Sequence, residues 1–181
     1  MRGRLVLVVA ALSVLLGACG RPVAESAAEP VAGAAAAGTV AAACPTTRPP
    51  DPAFAPPAPY PATPPPLYGD KFWHGTDQLW TWLDADGTWP MPGAPGGVQS
   101  DKSFWWREGY DWQTETTPPL QVTARRLDAA APPVTVSAAT NGFRDDIGAF
   151  MLLGLELPDE GCWELTGHYA GRALTFVVRV R

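Results

Sequence analysis

The chain has 181 residues, a formal charge of −5 and 46% hydrophobic residues. That length allows one domain with appendages. The acidic balance excludes a surface built to attract nucleic acid or anionic lipid headgroups, so neither is an expected partner.

Met1-Arg2-Gly3-Arg4 supplies a positive start, Leu5 to Leu16 is almost wholly apolar, and Leu16-Gly17-Ala18-Cys19 closes the segment with small residues before a cysteine. Residues 1–18 therefore read as a signal peptide, too short and wrongly flanked for a stable membrane span. The competing reading is a plain secretory signal with an incidental cysteine. The combination resembles the N-termini of bacterial lipoproteins. That resemblance implies removal of residues 1–18, acylation of Cys19, and attachment to a cell membrane or outer membrane facing the periplasm or the exterior. Gly20 after the cysteine, in place of an acid, points outward where there are two membranes. Several acyl chains hold far more firmly than one, each buried CH₂ contributing about 0.8 kcal/mol. Loss of Arg2 and Arg4 takes the formal charge from −5 to −7. With Cys19 acylated, Cys44 and Cys162 remain as a single pair, expected to form a disulfide in an oxidising compartment.

Residues 19–43 are mostly Ala, Gly, Val, Pro and Glu with no aromatic residue, the composition of a flexible tether. From Cys44 to Pro66 the chain becomes Pro-rich, and an extended polyproline arm is expected, with Phe54 and Tyr60 as pegs for docking on a domain. Residues 67–181 form that domain. Gln78–Leu83 reads as a strand with Leu79, Thr81 and Leu83 on one side and Trp80 and Trp82 on the other. Asp84–Gly87 is a turn, Thr88-Trp89 a brief strand, and Pro90–Ser100 a loop. Lys102–Arg107 is a strand, with Glu108–Gln113 its bent continuation or the partner arm of a tight turn. Leu120–Leu127 and Val134–Ala138 alternate as half-exposed strands. Asn141-Gly142 marks a turn, Asp145-Asp146 a solvated loop, and Ala149–Leu157 is apolar enough for a central strand. Pro158–Gly161 turns a corner into a final hairpin, Cys162–Tyr169 and Arg172–Val180. No segment of the domain carries a helical period, so the expectation is all-β with seven or eight strands.

Leu157-Pro-Asp-Glu-Gly-Cys-Trp-Glu-Leu-Thr166 resembles the corner and penultimate strand of immunoglobulin-like domains, with Trp163 where a Tyr is commoner. No cysteine stands two residues after Trp163, so the usual inter-sheet disulfide is missing. The resemblance implies an immunoglobulin-like antiparallel β-sandwich preceded by a disordered, Pro-rich arm. Gly161-Cys162-Trp163-Glu164 is also similar to the C-terminal end of uncharacterised envelope lipoproteins, and implies no activity.

Catalytic chemistry finds little support. The histidines are His74 and His168, and there is no Gly-x-Ser-x-Gly elbow. Asp84-x-Asp86-Gly87 resembles a calcium loop, but Trp89 stands where its glycine belongs and Pro95 where its final Glu belongs. No metal or cofactor is expected, and no enzymatic activity. Glu108 and Glu115 have only their presence to recommend them as a glycosidase pair. The distinctive feature is the aromatic run, from which Trp105, Trp106, Arg107, Glu108, Tyr110, Asp111 and Trp112 are the candidate ligand-binding residues. Indole faces beside carboxylates and Arg suit a sugar. The alternative is structural: neighbouring tryptophans on a strand point to opposite sides, one into the sandwich and the other against the Pro-rich arm. The expected function is thus a non-enzymatic, lipid-anchored binding or structural module, with an envelope glycan or protein as partner, or else a carbohydrate-binding protein.

Overall fold

A computed structural model describes residues 43–93 and 95–181. The signal peptide, Cys19 and all of the tether but Ala43 lie outside them. Ten strands follow one another: β1 Lys71–Thr76, β2 Leu79–Asp84, β3 Thr88–Trp89, β4 Gln99–Trp106, β5 Gln121–Arg126, β6 Thr135–Val136, β7 Thr140–Arg144, β8 Gly148–Leu157, β9 Gly161–Tyr169 and β10 Arg172–Val180. The described residues contain no α-helix, only a 3-10 turn at Pro66–Tyr68.

One sheet has the order β1-β2-β4-β8-β6, with β7 also on β8, and the other has the order β3-β10-β9-β5. All pairings are antiparallel except β3 on β10. Apart from the excursion to the short β3 and back, the chain crosses between sheets from β4 to β5, returns from β5 to β6, and crosses again from β8 to β9. With β2, β4, β8 and β6/β7 as strands A, B, E and D, and β5, β9 and β10 as C, F and G, this is the Greek-key order of an immunoglobulin-like sandwich. The E–F corner has its own lock. Trp163 Nε1 donates to Asp159 O, four residues upstream, at 3.1 Å, the role that a tyrosine hydroxyl plays in other domains of this architecture.

The period-two alternation sorts side chains into two cores. Between the sheets lie Leu79 and Leu83 of β2, Trp105 of β4, Met151 to Leu157 at alternate positions of β8, and Trp163, Leu165, Phe176 and Val178. Trp73, Trp80, Trp106, Ile147 and Phe150 form a second cluster on the far side of the first sheet. The Pro-rich arm covers that face. Phe54 and Tyr60 meet Trp80 edge-on at 6.4 and 5.0 Å between ring centres, and Trp73 Nε1 donates to Pro61 O at 2.9 Å. Pro56 and Pro64 are buried in the same layer. Arm and sandwich form one compact unit, and the arm acts as a third layer.

The start of the arm is bonded through Cys44 to Cys162, 118 residues away. It also shields the open edge of β10, whose bare N–H and C=O groups would otherwise invite pairing with another chain. Thr47 N donates to Val177 O and Val177 N to Thr47 Oγ1, at 2.8 and 2.9 Å. Further along, Arg179 N donates to Gly87 O at 3.0 Å.

Three local expectations are corrected. Asn141-Gly142 is inside β7, because Gly142 lies against the Phe150 ring, where a Cβ would come within 2.5 Å; the turn falls at Asp145–Ile147. Glu108–Gln113 is a looped turn and not a continuation of β4: Gly109 has a φ of 64°, which ends the extended run. Lys71–Thr76, not read as a strand, pairs with β2 along its whole length, its alternation obscured by Gly75 and the adjacent Phe72-Trp73-His74.

Candidate functional site

The candidate residues of the aromatic run separate into three groups. Trp105 and Trp106 are each 0% exposed, since both faces of β4 are covered, one by the second sheet and one by the arm. Trp105 Nε1 donates to Ser103 Oγ at 2.8 Å and its ring packs on Phe176 and Gly167. Trp106 Nε1 donates to Ile147 O at 3.1 Å, with its ring edge-on to Trp73. Tyr110 is buried too. These three rings are therefore withdrawn as stacking surfaces for a ligand.

Arg107, at the end of β4, is the centre of a closed polar network. Its guanidinium lies 5.5 and 5.4 Å from the ring centres of Tyr110 and Tyr169. Nη2 bonds Glu115 Oε2 at 3.0 Å and Nε donates to Tyr169 Oη at 3.0 Å. Tyr169 in turn donates to the other Glu115 oxygen, and Tyr110 donates to Glu115 O at 2.9 Å. Burial, followed by the Glu115 charge, pushes Tyr110 up to about 12, and burial with the Glu115 hydrogen bond raises Tyr169. Both phenols stay protonated at neutral pH. The cation and carboxylate are mutually satisfied, so the network fastens the loop after β4 to β9. It takes Glu115 out of the suggested pairing with Glu108.

Glu108, Asp111 and Trp112 complete the set. Glu108 and Asp111 are exposed. Asp111 accepts from Gln113 N at 3.0 Å, and that bond, then one from Thr114, holds its carboxyl below the ordinary range. Trp112 is half-buried and stacks on Phe143, with 5.6 Å between ring centres and 20° between planes. Phe143, 49% exposed, had no signal beyond an aromatic residue beside Asn-Gly in an apparent loop.

Among the described residues no three His, Cys, Asp or Glu could together hold a metal ion. His74 Nε2 lies 3.2 Å from Thr175 O, and its ring meets Phe72 and Phe176; His168 is exposed on the outer side of β9. Among the described residues neither is hydrogen-bonded to a serine or an acid. A cavity of about 40 Å³ lined by Thr81, Ser103, Phe176 and Val178 admits a water or two, far short of the several hundred Å³ of a small-molecule pocket.

Sequence reasoning also missed the support of the disulfide. Asp128 Oδ2 accepts from Cys162 N at 3.0 Å, and Arg126 bonds Asp128 at 2.8 Å and Asp159 at 3.1 Å. Burial tends to raise the Asp128 carboxyl, but the bonds from Arg126 and Cys162 N outweigh it and hold the group below its ordinary value. These acids come from two loops, 31 residues apart in sequence, which no local pattern connects.

Fold and linkage define an immunoglobulin-like β-sandwich with a disulfide-latched proline-rich arm. Comparison with family profiles, with curated proteins and with solved structures finds no match.

Proposed function

We propose that this chain is a lipid-anchored module of the cell envelope that binds or supports a partner and performs no catalysis of its own. The observation that carries the reading is the pairing of cysteines. Of three in the chain, Cys44 and Cys162 are bonded to each other. The third is Cys19, at the end of the Leu16-Gly17-Ala18-Cys19 run. A structural disulfide suits an exported protein, and the cysteine left over is the one that the lipoprotein pattern would acylate. Acylation there places the membrane 25 residues before the latch and leaves the sandwich facing the periplasm or the exterior. The closed Arg107 network and the isolated histidines favour binding or support over chemistry, with an envelope glycan or protein as partner.

Fractionation tests the anchor. The wild-type chain is expected in the membrane fraction, and Cys19→Ser in the soluble fraction. A Cys19→Ser chain that stays with the membrane would overturn the proposal.

A further inference from the structure

We propose that the Phe143 ring, backed by Trp112 and flanked by Asp145, is a stacking site for one ring of a neutral glycan. This deepens the binding-module reading by naming a ligand class, and it does not depend on the lipid anchor.

Three large apolar side chains stand out as exposed: Leu67, Val98 and Phe143. Leu67 and Val98 belong to a 3-10 turn and a loop. Phe143 is the aromatic one, and it is held on a strand, paired with Ala149 of β8. Trp112 covers one of its faces at 5.6 Å and is fixed in turn, since Asn141 Nδ2 donates to its carbonyl. The ring stays 49% exposed on a paired strand, a support that lowers the entropy lost when a ligand docks.

The surroundings favour a sugar over other occupants. Phe143, Arg144, Asp145 and Asp146 line an open hollow of about 450 Å³. Arg144 and Asp146 are already engaged: Arg144 Nε bonds Asp146 at 3.0 Å and lies over the Tyr68 ring, while Tyr68 donates to Asp146 at 2.8 Å. Asp145 is exposed and makes no hydrogen bond or ion pair with another described residue, so its carboxylate is free to accept. A pyranose has a C–H face that fits an aromatic ring and hydroxyls that donate to a carboxylate, a charge-assisted bond stronger than a neutral one. A protein partner needs a contiguous, desolvated apolar centre, and one ring rimmed by three charged residues does not provide it. With Asp146 compensated by Arg144, the remaining Asp145 carboxylate disfavours an anionic glycan or headgroup. A single stacked ring with one or two hydrogen bonds predicts weak affinity, on the order of millimolar for a monosaccharide, rising with chain length where neighbouring rings reach the hollow.

The mature full-length chain, solubilised in detergent, would be titrated with β-1,4-linked glucose and N-acetylglucosamine oligomers of one to five units. Saturation-transfer NMR on the sugar and tryptophan emission report binding. Transfer is expected to concentrate on the C–H face of one pyranose and to perturb Trp112 emission. Phe143→Ala is expected to weaken binding at least ten-fold, Asp145→Asn several-fold, and Phe143→Tyr to retain it. Failure of every neutral oligomer to bind, or undiminished binding by Phe143→Ala, would overturn the site. So would Phe143-dependent self-association in sedimentation without saccharide binding. None of these outcomes alters the Cys19 fractionation, so the two proposals fail separately.

Discussion

Gly167 lies inside β9, opposite Val122 of β5 on one side and Leu174 of β10 on the other. It faces Trp105 across the sandwich. A Cβ built there comes within 3.0 Å of Trp105 Cε3 and closer still to Cη2 and Cζ3, where ordinary carbon contacts are about 3.5–4.0 Å. Gly167→Ala would therefore force the indole back by roughly an ångström. Nothing yields easily: Trp105 is 0% exposed, packs on Phe176 at 5.7 Å, and holds its N–H on Ser103 at 2.8 Å. Overpacking of this kind destabilises by about 1–3 kcal/mol, and the upper end is expected because both sheets must part to relieve it. The loss is a large share of the ~5–15 kcal/mol typical of a folded domain. Urea unfolding followed by tryptophan emission measures it, with an unchanged slope as the check that only the midpoint moved. Trp105→Phe supplies the control. The smaller ring leaves room for the methyl group, so the double variant should be more stable than the two single losses predict, by roughly 1 kcal/mol or more of coupling. A Gly167→Ala chain within about 0.5 kcal/mol of wild type, or strict additivity in the double variant, would refute this account of the core.

Two further outcomes are expected. Peptide mapping without reduction should find Cys44 joined to Cys162, and replacing both by Ser should cost about 5 kcal/mol by chain-entropy reasoning for a separation of 118 residues; two freely alkylatable thiols in the native chain would contradict the latch. Burial holds His74 below its ordinary value of 6.5, opposed in part by its bond to the Thr175 carbonyl. Between that depressed value and 6.5 the unfolded chain binds more protons than the folded one, so stability is complete above about 6.5 and falls as the pH drops below it. His74→Gln should flatten stability against pH between about 7 and 5, and an unchanged slope in that variant would show that another group is responsible.

Much of the fold was legible because it rests on local period. The alternation of Leu79-Trp80-Thr81-Trp82-Leu83 separated two faces, and the apolar run of β8 and the final hairpin marked their strands. Asn141-Gly142 misled because its turn propensity is local, whereas the closeness of Phe150 to Gly142 is a matter of pairing. Lys71–Thr76 was missed because its local pattern is irregular: Lys71, Trp73 and Gly75 share one side and Phe72, His74 and Thr76 the other, so neither side reads as apolar. The candidate site fared worse. Composition placed Trp105, Trp106 and Trp112 together, yet exposure depends on what lies over each ring, and the covering elements come from the other sheet, from the arm and from β7.

The amino-acid sequence alone determined the all-β character and a Pro-rich stretch ahead of the strands, which follow from composition and short periods, and it put forward Cys44 and Cys162 as a candidate pair. Tertiary structure decided the use of each aromatic residue. Trp105 became the plug between the sheets, Trp80 and Trp73 the seat of the arm, and half-buried Trp112 the backing of an exposed Phe143. It also closed Arg107, Glu115 and Tyr169 into a network spanning 62 residues of chain. Burial and long-range pairing are properties of packed neighbours, and the chain does not carry them at any one position.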